Sequence, residues 1–374
     1  MADVLLISSF LFAVIFVTIN GITQLFYAQS LGYRLKPTAF AYFLGAFGNI
    51  ITGNVVPISA QAETITLSGL IKNIRVRVGA LLFAAIVGII LGLTNSISHI
   101  VNFSGEIVMF GMMAGVGLIL GEVGINMAKK SRRVGLISII TAILIWILSK
   151  DVVYTIAGSV VVSTIDFAVI RKKRVEQHYD EQNDMLDHSD WHFWKKEYWK
   201  DFKIVLPKVS LSMVFGGLSI VCLNIGTNIS FGTITANMAD QKPKLDTLTF
   251  INSLADIPSV LFGGIPIEAI ISGTGGASWP VTAGIVMMLL SGVLIMIGVI
   301  SIVAKYIPAE SIAGFLLIIG FALTLIPNLL LVSESDSPLE GIVSASVTMI
   351  TKNAFFGVCA GIVVKLSGSL GGIV

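Results

Sequence analysis

Two carboxylates stand inside apolar sequence, each shortly after a glycine and a proline. Glu63 ends the stretch Gly53-Asn54-Val55-Val56-Pro57-Ile58-Ser59-Ala60-Gln61-Ala62-Glu63. Glu268 lies within Gly263-Gly264-Ile265-Pro266-Ile267-Glu268-Ala269-Ile270-Ile271-Ser272. Removing a carboxylate from water disfavours its charged form, and a charge at the centre of a bilayer costs roughly 2.5–3.5 kcal/mol on insertion scales. Groups kept at that cost face a cavity, pair with one another or carry protons. Glu63 and Glu268 are therefore the first candidates to bind a polar solute and to take up a proton coupled to its movement. Ser59, Gln61 and Ser272 share the two stretches and join the candidate substrate-binding set. For Glu268 a second reading stays open, a carboxylate at a helix start favoured by the helix dipole.

The elements that would position these groups follow from the prolines. The residue before a proline avoids the helical region, and proline suits the first turn of a helix. Each stretch therefore predicts a short extended piece feeding a half-helix. Non-helical backbone at membrane depth is tolerated only where it is buried in protein or lines a cavity. Interrupted segments at matching places in two halves of a chain point to a transporter's binding site. The competing reading is a pair of ordinary kinked spans. Ahead of the second stretch, Asn224, Thr227, Asn228, Ser230, Thr233, Thr235 and Asn237 cluster. They suit either a wet cavity or hydrogen bonding between helices, and Thr227 and Asn228 complete the candidate set.

Composition sets the class. Of 374 residues, 55% are apolar and 12% charged, with mean hydropathy +0.91, where a soluble domain carries about 25% charged residues. The chain reads as an all-α, multi-pass protein of the plasma (inner) membrane, which excludes soluble enzyme folds. Seven apolar runs precede a hydrophilic loop at 171–203 and seven follow it. An odd number per half makes the two repeats inverted. A net charge of +2 gives no reason to expect nucleic acid. Cys222 and Cys359 lack metal spacing, His99, His178, His188 and His192 form no ligand set, and no hydrolase or nucleotide-binding motif occurs. No enzyme activity, cofactor or metal is expected. Val4 to Tyr27 is too long for the apolar segment of a cleavable leader. Glu122, Asp166 and Asp256 read as structural, and Lys365 as snorkelling. Trp191, Trp194, Tyr198 and Phe202 alternate with lysines and predict an amphipathic helix at the bilayer surface.

Short motifs in both halves carry a family resemblance. Thr235-Ala236-Asn237, Asn252-Ser253-Leu254, Phe262-Gly263-Gly264-Ile265-Pro266 and Ile307-Pro308-Ala309 resemble the xanthine/uracil permease (nucleobase–ascorbate transporter) family. Lys36-Pro37, the Pro57 segment and Gly115-Val116-Gly117-Leu118 are similar to its earlier spans. The resemblance implies about fourteen spans in two inverted seven-span repeats, with broken half-helices in spans 3 and 10. It implies a core domain from 1–98 and 205–303, a gate domain from 99–170 and 304–374, and a hydrophilic loop at 171–204. It further implies alternating access, a homodimer, and symport of a nucleobase (purine or uracil) with a proton or Na+. The family's span-8 glutamate falls at Thr227 and its second acidic position at Ser272, so the carboxylates are redistributed. Sulfate-permease-like families share the architecture, and the alternative function is an anion transporter or channel that uses half-helix N-termini as anion sites. Of 24 Lys and Arg residues, 18 follow the first, third, fifth and seventh runs. The positive-inside rule then places the N-terminus outside, whereas the resemblance implies inside.

Overall fold

The computed structural model describes residues 2–150, 152–175, 198–300 and 307–371. Its centre is made where the two proline stretches meet. After α1 (Ala2–Ser30) and α2 (Thr38–Thr52), the chain turns at Gly53, whose φ of 60° is left-handed. It then runs extended into β1 (Ile58–Ala60). In the second half Gly263, with φ 76°, makes the same kind of turn before β2 (Ile267–Ala269). Glycine takes such angles without steric cost. The strands pair antiparallel, with Ile58 opposite Ala269, Ser59 opposite Glu268 and Ala60 opposite Ile267. All six residues are buried. Both approaches are pinned by side chains: Asn49 Nδ2 donates to the Val56 carbonyl (2.9 Å), Ser259 Oγ to that of Ile265 (2.7 Å), and Thr38 Oγ1 accepts from Ile265 N (3.0 Å).

The two strands continue differently. β1 leads into α3 (Ala62–Gly69), a half-helix as expected. β2 leads instead to a 3-10 turn at Gly273–Gly276. The expected half-helix after Pro266 is therefore corrected, because three of the four residues in that turn are glycines, poor helix formers. Glu268 lies in the strand, so it is not a helix-start carboxylate.

The remaining helices are α4 (Ile74–Leu93), α5 (Ile97–Ser104), α6 (Glu106–Lys130), α7 (Arg132–Ser149), α8 (Val152–Val175), α9 (Leu211–Met238), α10 (Leu245–Leu261), α11 (Pro280–Met296), α12 (Ala309–Ser333), α13 (Pro338–Thr351) and α14 (Ala354–Gly371). The polar cluster from Asn224 belongs to α9, which starts later than its apolar run because Ser210 caps it, accepting from Met213 N at 3.2 Å. Helix α4 packs on α9 and α10, and α2 on α10 and α11, around the ribbon. Helices α6, α12, α13 and α14 pack together, with α7 and α8 against α12. Among the described residues, six helices are long and apolar enough to cross a membrane, and shorter apolar helices accompany them. The fold is mostly helical, and the protein is a multi-pass membrane protein.

Charges resolve simply. Lys352 pairs with Glu122 at 2.6 Å and Arg133 with Asp166 at 2.8 Å. Lys365 donates to the Phe103 carbonyl at 3.0 Å. Trp191, Trp194, His178, His188 and His192 lie outside the described residues. The described end of that stretch, Tyr198–Phe202, is a 3-10 turn. Its Phe202 packs on Phe40 and Phe262, with ring centroids 5.5 and 6.0 Å away.

Helix α6 meets α13 through glycine: a Cβ on Gly111 would stand 2.1 Å from the Gly341 carbonyl oxygen. Overpacking of this kind costs about 1–3 kcal/mol. Gly111→Val should lower the thermal midpoint of the purified protein, while Gly368→Ala, with open space around it, should leave it in place.

Candidate functional site

Helix α3 is short, buried and begins at mid-protein, so both its ends need partners. At the C-terminal end Arg77, only 5% exposed, donates to the carbonyls of Leu31 (2.8 Å), Ile71 (3.0 Å) and Gly69 (3.4 Å). A cation there also matches the negative end of the helix dipole. The N-terminal end has no such closure. Its N-cap, Gln61, is extended and makes no side-chain capping bond. The Gln61 amide instead donates from Nε2 to the Ala269 carbonyl at 2.8 Å, tying α3 to β2.

This open end faces a cavity of about 450 Å³. Gln61 and Glu63 line it with Asn20 and Gln24 of α1, Ile271 and Gly273 after β2, and Leu323 of α12. Lys150, between α7 and α8, is the one basic side chain on its wall among the described residues. Aromatic rings of α1 form an apolar side, with Phe12 stacked on Phe16 at 5.6 Å and Phe16 edge-on to Tyr154 at 5.7 Å. The cavity therefore lies between the helices around the ribbon and those packed with α6.

Glu63 is 2% exposed, and its Oε1 accepts from Thr324 Oγ1 of α12 at 2.9 Å. Thr324 sits in a wide-turned π segment, Ile319–Leu325. The cause is two residues on: Pro327 has no N–H for the carbonyl four residues back, and its ring crowds that carbonyl. Such segments recur at functional sites.

The other sequence-derived candidates surround the ribbon and do not line the cavity. Ser59 is hydrogen-bonded to Tyr42 Oη at 2.7 Å. Glu268 accepts from Asn252 Nδ2 at 2.7 Å, and the same amide reaches Asn228 Oδ1 at 3.3 Å. Asn228 donates in turn to Thr249 at 2.8 Å. Asp256 accepts from Ile267 N at 2.7 Å, fixing β2 from α10. Thr227 donates to the Asn224 carbonyl at 3.1 Å. Ser272 accepts from Thr274 N at 3.2 Å and closes the glycine turn. Most of these polar groups answer one another and the ribbon's backbone, while Glu268 Oε1 and Asn224 Oδ1 are buried without a hydrogen-bond partner.

Three residues are not among the candidates that the sequence singles out. Asn20 and Gln24 lie one helical turn apart and both line the cavity, and neither Asn20 Oδ1 nor Gln24 Oε1 has a hydrogen-bond partner. Their signal is present in the sequence, as two amides four residues apart in an otherwise apolar run. Thr324 has no such signal, because its contact depends on the wide turn.

No family model matches the sequence, and no curated protein does either. Solved structures do match in fold. The chain is similar to the transmembrane domain of BicA, a cyanobacterium bicarbonate transporter, with TM-score 0.62 and 14% identity, covering 95% of this chain and 97% of that one. It is also similar to SLC26A9, with TM-score 0.61 and 12% identity over 96% of this chain and 64% of that one. These neighbours overturn the xanthine/uracil permease resemblance, since BicA and SLC26A9 are not members of that family. The nucleobase, purine and uracil expectations lose their footing with it.

Proposed function

We propose that this protein carries a small anion across the membrane, binding it in the cavity at the open N-terminus of α3. The observation that carries this reading is the start of a buried half-helix whose N-cap residue, Gln61, makes no side-chain capping bond, facing a cavity whose wall includes the buried Gln24 with its Oε1 unpartnered. Backbone N–H groups at a helix start attract anions through their hydrogen bonds and the positive end of the dipole. Rotation of the Gln24 and Asn20 amides offers an anion N–H donors from the opposite wall. Gln61 holds the site's floor against β2. Lys150, exposed at the wall, raises the local anion concentration by attraction across the cavity. The fold's likeness to a bicarbonate transporter's transmembrane domain supports the same class of substrate. The apolar ring side, Phe12, Phe16 and Tyr154, narrows the space around a small solute.

The test is uptake into proteoliposomes of bicarbonate, chloride, nitrate and sulfate, with uracil and xanthine alongside. Saturable uptake of at least one anion, and none of either base, is expected. Base uptake without anion uptake would overturn the reading.

A hydrogen bond to a charged group contributes about 1.5–3 kcal/mol, which corresponds to roughly ten- to a hundredfold in affinity. Gln24→Leu should weaken anion binding within that range without changing the fold, as judged by an unchanged thermal midpoint. Lys150→Gln should act differently, slowing uptake at low ionic strength and losing its effect as salt screens the charge.

A further inference from the structure

An anion site at α3 contains a contradiction that its own residues resolve. The place an anion would take is already held by one. Glu63 lies in the first turn of α3, and its carboxylate accepts from Thr324 of α12. Glu63 is in effect a tethered anion at the helix end. Gln24, 5% exposed with Oε1 unpartnered, lines the same cavity and points to a ligand beyond this internal one.

Among the described residues, no cation neutralises Glu63 from the elements packed against it. From α1 comes Tyr27, whose hydroxyl is bonded to Thr66 at 2.6 Å. From α4 comes Arg77, committed to carbonyls at the far end of α3. Helix α6 offers Glu122, already paired with Lys352, with Glu106, Lys129 and Lys130 at its ends. Helix α9 contains no Asp, Glu, Lys, Arg or His, and α12 contains Glu310 at its start and Glu334 just beyond its end. On the neighbouring strand Glu268 is bonded to Asn252. Lys150 shares only the cavity wall. A second anion beside a charged Glu63 therefore meets unshielded repulsion in a site of low polarity.

We propose that a substrate anion occupies the α3 N-terminus only when Glu63 has taken a proton from the aqueous cavity, so that one proton travels with each anion. The proton adds to the Glu63 carboxylate, and the neutral acid's O–H then becomes a donor to the incoming anion. The negative charge that the helix end accommodates is handed from Glu63 to the substrate. With no substrate, the charged carboxylate keeps its bond to Thr324 and holds α3 against α12. This inference rests on the anion reading above and specifies its coupling.

The test starts on the purified wild-type protein and is then repeated on two variants. Potassium nitrate, chloride and sulfate are titrated into weakly buffered protein between pH 6 and 8, with calorimetry for binding and an indicator dye for protons. Linkage of one proton to one anion makes the apparent affinity fall about tenfold per pH unit in the range where Glu63 is charged in the free protein. Proton uptake should accompany each bound anion there. In Glu63→Gln, binding should become independent of pH and release or take up no protons. Thr324→Ala should keep the proton uptake, since it retains the carboxylate. Anion binding to wild type without proton uptake would overturn the inference and leave the anion reading standing, as would an unchanged pH slope in a folded Glu63→Gln. Absence of binding by all three anions to both proteins at every pH would overturn the anion reading itself.

Discussion

The structure depends on one requirement: a backbone that leaves the helix inside a membrane must find hydrogen-bond partners other than water. Here two such departures satisfy each other. Three residues from each half pair in a buried antiparallel ribbon, and the flanking backbone is held by Asn49, Thr38, Ser259 and Asp256. Neither break is tolerable alone, so the two halves must come together. The same requirement explains why most polar side chains near the ribbon are occupied. Asn252, Asn228 and Thr249 form a chain of bonds leading from Glu268 into α10. Of the buried polar atoms without a partner, those of Asn20 and Gln24 on α1 line the cavity beside the start of α3.

The two halves solve the requirement differently. Ser59 and Glu268 face one another across the ribbon, so the first half carries a hydroxyl where the second carries an acid. Four residues on, the order reverses, with Glu63 in one half and Ser272 in the other. The first half continues as a helix whose open end needs a negative partner. The second ends in a glycine turn closed by Ser272. One helix start reaches the cavity, and the site is asymmetric within a symmetric plan.

Much of this plan is legible in the sequence. Glycine, proline and a carboxylate recurring in both halves mark the breaks, because only a few residue types permit them. The second half-helix is expected in error, since Pro266 speaks for a helix while Gly273, Gly275 and Gly276 speak more strongly against it. The family resemblance fails for a related reason. Phe262-Gly263-Gly264-Ile265-Pro266 encodes a backbone turn, with Gly263 at φ 76°, and a turn carries no information about what is transported. Within the site, Gln61 and Glu63 can be named from their place on the break. Asn20 and Gln24 carry a fainter mark, two amides one helical turn apart with no break beside them. The Glu63–Thr324 bond joins residues 261 apart in the chain, and nothing local to either foretells it.

The wide turn in α12 has its own mechanical meaning. A helix advances about 100° per residue, so one additional residue in a turn puts the side chains before and after it out of phase. The stretch Ala313–Ile318 packs on α6, α7 and α8, whereas Ile326–Ser333 packs on α6 and α13. A single rod with regular turns would present one continuous face. This helix presents two, joined at a swivel, and Thr324 sits on the swivel itself.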